Sequence, residues 1–230
     1  MFDEPIILAS ESPRRSALLE SLGIPFYRLK PDIDESIFDH LEPEARVMAL
    51  AEQKARKGAL LWREQSHEAL PVRGSTMDLI GAPRLVLGAD TLVAFPPENP
   101  ADAWHTIGKP ENRDEAASML HLEQGRTQKV FSGICLFDLA DQRIYRTCSI
   151  SEVAFAPMTD AEIEWYLDLE EWRGVAGAYR VQGAGSFFIQ ELRGSWSGVM
   201  GLPIHEFYGI LLRSGYLARN AEKVSSDLPV

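Results

Sequence analysis

The stretch IILASESPRRSALLESLG, residues 6–23, predicts the unit on which the fold is built. Its apolar run, Ile6–Ala9, is short and ends in a polar turn, as buried strands do. Ser12 and Pro13 then predict the start of a helix, because a serine oxygen can cap free N–H groups and proline lacks the N–H that would go unpaired. Three leucines, at 18, 19 and 22, supply the buried side of this helix, and Gly23 ends it. A strand that runs directly into a helix favours an α/β fold.

The rest of the chain alternates between patterns typical of strands and of helices. We expect helices over Pro43 to about Trp62, Asp114 to about Leu122, Thr159 to about Leu169, and Pro203 to about Arg213. We expect extended segments over 27–33, 85–87 and 92–95, and a long antiparallel pair over 129–139 and 142–156. The sequence therefore predicts a mixed sheet flanked by helices, in one domain over 1–215 with exposed insertions near 63–83 and 96–106. A polar C-terminal tail is expected over 216–230.

Composition and charge exclude several classes of function. The 230 residues carry a formal net charge of −11, so we expect no bulk electrostatic binding of polymeric nucleic acid, and any anion must be met by local cations. Cys135 and Cys148 lack the spacing of a zinc or redox site. No apolar run approaches the roughly 18 residues of a membrane span, and no signal segment opens the chain. We expect a soluble, cytoplasmic protein without a membrane partner.

Arg14 and Arg15 are unexpected at a helix start, where cations are unfavourable by roughly 0.3–1 kcal/mol. Free backbone N–H groups already make a helix N-terminus attractive to anions, and the serine hydroxyls at 10 and 12 add donors. One interpretation is therefore that the two arginines face a bound phosphate. The alternative is that they point to solvent or pair with Glu11 and Glu20.

Lys54 falls within the apolar sector of the second predicted helix, at 100° per residue. A lysine in such a place either extends its ammonium group to the rim of the protein or reaches into a cleft. Both interpretations are open from the sequence.

Asp90 lies between the two predicted strands 85–87 and 92–95, at the carboxyl end of the first, where open α/β sheets place ligands. A carboxylate there needs a metal ion, a cation or backbone amides as its partner, unless it merely turns the chain. Glu35 could join it in holding a divalent cation, and spacing does not decide between Glu35 and its neighbours Asp32 and Asp34. Lys109, in a predicted loop, is weak evidence by itself.

Other kinds of site find no support. The histidines lack metal-ligand spacing, and there is no nucleophile elbow, no phosphate-binding P-loop and no dinucleotide-binding glycine motif. The remaining set of several cations with two or more carboxylates suits a metal-bound polyphosphate.

Eight segments together resemble the Maf family of nucleoside triphosphate pyrophosphatases. In family order they run from Leu8 to Ile204, within a resemblance that covers about residue 5 to 213: LASESPRRSALLESLGIPF, DIDES, LAEQKARKGA, VLGADTLV, IGKPENRDEAASML, SEVAF, AGAYRVQG and GSWSGVMGLPI. The resemblance implies an α/β fold with two lobes around a deep cleft, similar to the inosine triphosphatase type. It implies cleavage of a nucleoside triphosphate between the α and β phosphates, which yields the monophosphate and pyrophosphate and cleanses the nucleotide pool.

The resemblance also assigns residues. The polar and cationic positions around the triphosphate are Ser10, Arg14, Arg15, Lys54 and Lys109. Glu35 and Asp90 are the acidic positions that would bind Mg²⁺ or Mn²⁺, and Asp90 is the usual proton acceptor.

Three positions, Arg14, Thr91 and Gln182, follow the pattern of the branch that acts on dTTP and UTP. The Gln182 amide can both donate and accept, which matches the O4/N3–H edge of uracil or thymine. Family members commonly carry KAGAYGIQG, whereas this chain has Val175 for the lysine and Arg180 for a glycine, and Trp172 stands where proline is frequent.

Two questions stay open at this point. The same pocket could serve a non-catalytic nucleotide sensor that regulates cell division, although such a binder could dispense with the carboxylates. Whether the chain forms a homodimer is also left open by the sequence.

Overall fold

The computed structural model describes residues 2–64, 71–74, 82–97, 99 and 102–220. Much of the predicted insertion at 63–83, three residues of the one at 96–106 and the tail from 221 onward lie outside the described residues.

Eight strands and six α-helices are assigned within these ranges. The strands are β1 Ile6–Ala9, β2 Phe26–Leu29, β3 Val72–Arg73, β4 Leu85–Phe95, β5 His105–Ile107, β6 Thr127–Asp138, β7 Ile144–Phe155 and β8 Ile189–Arg193. The helices are α1 Pro13–Ser21, α2 Pro43–Glu64, α3 Arg113–Glu123, α4 Asp160–Asp168, α5 Trp196–Met200 and α6 Ile204–Arg213.

The strands form one mixed sheet, which confirms the predicted fold class. Its order is β3-β2-β1-β4-β6-β7-β8, with β5 paired to β4. β1 runs parallel to β2 and β4, and the other pairs are antiparallel. The predicted long antiparallel pair is β6 with β7, joined from Thr127 opposite Ala154 to Phe137 opposite Ile144.

The prediction of two strands at 85–87 and 92–95 is wrong, because β4 is continuous. β6 pairs with β4 at every residue from Leu85 to Ala94, so the intervening Gly-Ala-Asp-Thr stays extended instead of turning. Gly88 serves helix packing: a Cβ there would lie 2.1 Å from the Ala51 carbonyl oxygen of α2. Asp90 is therefore a mid-strand residue rather than a turn residue.

The opposite edge of β4 has a gap that positions Asp90. β1 ends with Ala9 opposite Gly88, and β5 begins to pair only at Val93. Among the described strands nothing pairs with residues 89–92 on that edge. Asp90 thus lies just past the carboxyl end of β1, at the kind of crevice where α/β sheets bind ligands.

Helix α2 crosses the sheet at very short range. Glycines on both sides permit this, because a Cβ at Gly133 would meet the Val47 carbonyl oxygen at 2.5 Å and one at Gly58 would meet Ala9 Cβ at 2.7 Å. This close approach brings Lys54, which is buried along with the apolar face of the helix, next to β4.

Several boundaries differ from the prediction because long-range pairing decides them. β3 and β5 lie partly inside the predicted insertions, β2 is shorter than the extended segment expected at 27–33, and β8 was not predicted. The capping box at Thr159 and Glu162 is confirmed. Among the described helices, none is long and apolar enough to cross a membrane.

Residues 216–220, predicted as the start of a polar tail, belong instead to the folded part of the chain. Residues 216–220 are helical, and Tyr216 is fully buried with its hydroxyl donating to the Glu4 carbonyl oxygen at 2.6 Å. The Asn220 side-chain oxygen accepts from the backbone N–H groups of Asp3 and Glu4. The polar composition of this segment gave no sign that it packs against the fold. Tyr216 and Asn220 make that contact through polar atoms, which hydrogen-bond the backbone of residues 3 and 4.

Candidate active site

A cavity of about 280 Å³ opens beside the N-terminus of α1, between α2, the gap in β4 and the glycine-rich segment that follows α4. Its lining carries five basic side chains and two carboxylates, Arg14, Arg15, Arg46, Lys54, Lys109, Glu35 and Asp90. Thr91 and Gln182 also line it. The sequence-predicted site residues therefore come together here, with the exception of Ser10, while its neighbour Ser12 is in the lining.

Lys54 joins the two carboxylates. Its Nζ lies 2.7 Å from Asp90 Oδ1 and 2.7 Å from Glu35 Oε1. The Lys54 and Asp90 side chains are 11% and 12% exposed, whereas Glu35 is 54% exposed. Of the two interpretations of Lys54, the structure supports the one in which the side chain reaches into a cleft.

Glu35 is also distinguished from its acidic neighbours. Burial by itself raises the pKa of the Glu35 carboxyl, but the hydrogen bond and charge of Lys54, with smaller effects of Lys109 and Arg15, hold that pKa below its usual value. Asp34 instead accepts from the backbone N–H and hydroxyl of Ser36 and starts a short 3₁₀ turn. Asp32 is exposed and outside the lining.

Arg15 ties three elements together at the back of the cavity. Its Nε donates to the Gly201 carbonyl oxygen at 2.9 Å, Nη1 to Ser10 Oγ at 2.9 Å and Nη2 to Thr91 Oγ1 at 3.1 Å. These three bonds use three of the five N–H donors of a guanidinium group, so two remain for a ligand. Burial lowers the pKa of Arg15, and the charge of Asp90 opposes that shift.

A hydroxyl chain extends this arrangement into β6 and α5. Thr91 Oγ1 lies 3.3 Å from Ser132 Oγ, and the Ser132 hydroxyl donates to the Gly198 carbonyl oxygen at 2.6 Å. Ser10 Oγ accepts from Arg15 and from the Ser12 N–H at 3.2 Å. Ser10 and Thr91 thus orient the Arg15 guanidinium group through hydrogen bonds.

The Arg14 guanidinium group is half-buried and has no carboxylate partner among the described residues. Glu11 pairs with Lys30 at 3.1 Å, so the alternative of an Arg14–Glu11 pair is not realised. Across the part of the chain that the structure describes, no carboxylate is within ion-pair distance of Arg14. Burial lowers its pKa first, and the charge of Arg180 lowers it further. An anion in the cavity would stabilise this arginine.

The far wall of the cavity is the glycine-rich segment 174–183. Val175, Tyr179, Val181 and Gln182 line the cavity from this side, and Gln182 is exposed. The Gly177 N–H donates to the Gly108 carbonyl oxygen at 3.0 Å, which links the wall to Lys109. Trp172, at a position where proline is frequent, is buried and its Nε1 donates to the Leu167 carbonyl oxygen at 3.0 Å.

Sequence reasoning missed Arg46. It lines the cavity from α2 and forms an ion pair with Asp39. Its spacing could have revealed it, because residues 46, 50 and 54 are four apart and lie on one side of a helix.

Comparison with known proteins shows the family of this chain. A model of the Maf family, described as Maf-like protein, matches residues 5–214. A dTTP/UTP pyrophosphatase of Treponema denticola is 39% identical over 216 residues, 92% of this chain and 97% of the relative. Enzymes of the same name from Pseudoalteromonas atlantica and Agrobacterium fabrum are 37% and 36% identical, over 90% and 93% of this chain and 96% and 93% of their own lengths.

Proposed function

The chain belongs to the Maf family, and on that premise we propose that it hydrolyses a nucleoside triphosphate, dTTP or UTP, to the monophosphate and pyrophosphate. The observation that carries the proposal is the charge pattern of the cavity: five basic side chains and two carboxylates meet in a chain whose net charge is −11. Asp39, Glu35 and Asp90 offset part of this positive charge, and an anionic ligand would offset the remainder.

A divalent cation, Mg²⁺ or Mn²⁺, belongs to this proposal. The donors fit it, because Glu35 and Asp90 are close enough to share the Lys54 ammonium group and each uses only one oxygen for that bond. No three His, Cys, Asp or Glu side chains of the described residues are grouped to hold a metal by themselves. The other ligands would therefore be phosphate oxygens and water, as is usual for Mg²⁺ with nucleotides. When bound, the cation would neutralise phosphate charge and polarise the α-phosphorus.

The chain's own residues account for the remaining chemistry. A water oxygen forms a bond to the α-phosphorus, the bond to the α–β bridging oxygen breaks, and pyrophosphate leaves with the electron pair. Asp90, held by Lys54, would accept the proton of the attacking water. Arg14 and Lys109, free of carboxylate partners among the described residues, would neutralise the leaving pyrophosphate together with the two unused N–H groups of Arg15.

Gln182 is the proposed selector of the base. It is exposed and lines the same cavity as Arg14, and its amide can pair with the O4/N3–H edge that uracil and thymine share. Thr91, bonded to Arg15, would contribute by fixing the phosphate end.

The test of the reaction is pyrophosphate release from dTTP, UTP, CTP, 7-methyl-GTP, ITP and ATP, each with and without Mg²⁺ or Mn²⁺. We expect metal-dependent release that is fastest with dTTP and UTP. Asp90→Asn should abolish turnover while the nucleotide still binds, and Asp32→Asn, which removes an exposed carboxylate outside the cavity, should change neither. Nucleotide binding without release in the wild type would instead favour a sensor.

The base preference has its own test. Gln182→Ala should reduce kcat/KM for dTTP relative to CTP, whereas Gln190→Ala, an exposed glutamine on β8, should leave the ratio unchanged. An unaltered ratio in Gln182→Ala would remove this residue as the selector.

A further inference from the structure

A group of buried polar side chains lies directly behind the glycine-rich wall of the cavity. Glu123, the last residue of α3, and Gln128 of β6 are 0% exposed, and Tyr179 of the wall is 4% exposed. None of the two Glu123 oxygens, the two polar atoms of the Gln128 amide and the Tyr179 hydroxyl forms a hydrogen bond of full geometry within the described residues. The Gln128 amide is nevertheless close enough to Glu123 and to Tyr179 to oppose the rise in the pKa of each. Buried polar groups without partners are rare in folded proteins, and each calls for a physical explanation.

The contact of Glu123 with the wall is direct. Its Oε1 lies 2.6 Å from the place where a Cβ at Gly177 would be, so any larger residue there would have to displace the Glu123 carboxyl. Gly177 has a φ of +74°, and its N–H bonds the Gly108 carbonyl oxygen next to Lys109. Ala178 also has a positive φ, of +60°, which is unfavourable for alanine. A strained turn of this kind persists only where its surroundings hold it.

We propose that Glu123 is a positioning residue for the cavity: its buried carboxyl braces the segment 175–182 from behind and so places Lys109 and Gln182 towards the substrate. This inference rests on the proposed function of the cavity.

The carboxyl can do this only in its neutral form. Burial raises the pKa of Glu123 well above its usual value, and the nearby Gln128 amide only partly opposes the shift. No cation pairs with Glu123 among the described residues. Tyr179 and Tyr166 of α4 are the titratable groups that face it. Burial is the largest cause that raises the pKa of each tyrosine hydroxyl, and the negative charge of Glu123 raises both further.

Ionisation should therefore release the wall. A protonated carboxyl has one O–H group, which can donate a hydrogen bond to the Gln128 or Tyr179 oxygen after a small movement. An ionised carboxylate finds only the neutral Gln128 amide and Tyr179 hydroxyl as donors and no cation among the described residues, so we expect it and the turn around Gly177 to move towards water. If only the braced wall binds substrate, the apparent KM rises by up to about tenfold for each pH unit above the raised pKa of Glu123.

The first experiment measures kcat and KM for dTTP from about pH 6 to pH 10 in wild type, Glu123→Gln and Glu123→Leu. We expect KM of the wild type to rise at alkaline pH with little change in kcat. Glu123→Gln, which keeps a neutral donor, should match the wild type within about twofold near neutral pH and lack the alkaline rise. Glu123→Leu fills the space without a donor and should have a KM raised several-fold at every pH.

Thermal unfolding tests the raised pKa of Glu123 independently of the substrate, while the KM profile tests its positioning role. A glutamate with a raised folded pKa keeps a proton that the unfolded chain has released, so stability falls as the pH rises above the ordinary value of 4.5. Glu123→Gln and Glu123→Leu should therefore melt higher than the wild type at neutral pH, by a margin that grows with pH. Asp114→Asn, an exposed acid on the same helix, should show no growing margin.

The outcomes are distinct. Parallel KM profiles in wild type and Glu123→Gln, or an unchanged KM in Glu123→Leu, would overturn the positioning role. If the wild type releases no pyrophosphate from any nucleotide, the proposed function fails, and the same pH series is then read as the dissociation constant of dTTP. Equal pH dependence of that constant in wild type and Glu123→Gln would likewise overturn the inference.

Discussion

Replacing Gly88 by alanine should push helix α2 off the sheet at the place where the cavity charges meet. The new Cβ would lie 2.1 Å from the Ala51 carbonyl oxygen and 2.6 Å from the Ala55 nitrogen. Both are backbone atoms, so no rotamer change relieves the overlap, and the helix must move by about 1 Å to restore ordinary contact distances. Overpacking of this kind costs about 1–3 kcal/mol.

The same movement should reduce activity, because Lys54 lies on α2 between Ala51 and Ala55, the two residues that the new Cβ would overlap. Its Nζ is 2.7 Å from both Asp90 and Glu35, and a displacement of about 1 Å at an active site can lower the rate about a hundredfold. For a chain of this length each kcal/mol lowers Tm by about 2–4 °C. We therefore expect Tm to fall by about 2–12 °C and kcat/KM to fall by about two orders of magnitude.

Thermal unfolding and pyrophosphate release, measured on one preparation, test both effects. Gly209→Ala is the matched control, because Gly209 lies within α6 and a Cβ added there would meet no neighbouring group within 4 Å. Alanine at that position should stabilise the helix by up to about 1 kcal/mol. A Gly88→Ala protein with wild-type Tm would refute the packing argument. A lowered Tm with wild-type kcat/KM would refute the coupling of α2 to the site.

Three further predictions follow from the charges and the chain termini. Lys54→Met leaves the Asp90 and Glu35 carboxylates without their shared cation, and we expect at least a roughly hundredfold loss of pyrophosphate release and a higher pKa of the Glu35 carboxyl in an NMR titration. Because the pKa of Glu35 is held below its ordinary 4.5, its contribution to stability is complete above that value and is lost as the pH falls through the lower folded pKa; melting curves from about pH 3 to pH 6 should show this acid loss in wild type and not in Glu35→Gln. Asn220→Ala removes the acceptor for two backbone N–H groups near the chain start and should lower the free energy of unfolding in urea by about 1–3 kcal/mol.

The fold was predictable where the local pattern and the tertiary structure agree. The apolar run of β1 and the proline that opens α1 carry their own signals, and so do the long strands β6 and β7. The predicted serine cap is not formed, because the Ser12 side chain makes no hydrogen bond to the start of the helix. The division of β4 was wrong because Gly-Ala-Asp-Thr has the composition of a turn, and nothing local reveals that Gly88 is a contact with a helix more than 30 residues earlier. Long-range packing, rather than propensity, decides such a residue.

The site residues likewise differ in how far the local sequence pattern reveals them. Lys54 was detectable because a charge on an apolar helix face is anomalous, and Arg46 was detectable by the same four-residue spacing but was overlooked. Glu123 carries no such signal: an acidic residue at the end of a helix usually lies in solvent, and only the fold shows that β6 and the glycine-rich wall enclose it.

The location of the cavity follows from unequal strand lengths. β1 has four residues and β4 has eleven, so β4 continues past Ala9 with one unpaired edge until β5 begins. Helix α1 must start at that place, because it follows β1 directly, and its second and third residues are the two arginines. Arg15 then bonds Thr91 across the gap in place of a strand, while Arg14 has no carboxylate partner among the residues that the structure describes. The two arginines are unfavourable for the helix alone, because cations are disfavoured at a helix N-terminus. They lie, however, beside Asp90 at the unpaired edge of β4, where a bound polyphosphate would interact with both the arginines and the helix start.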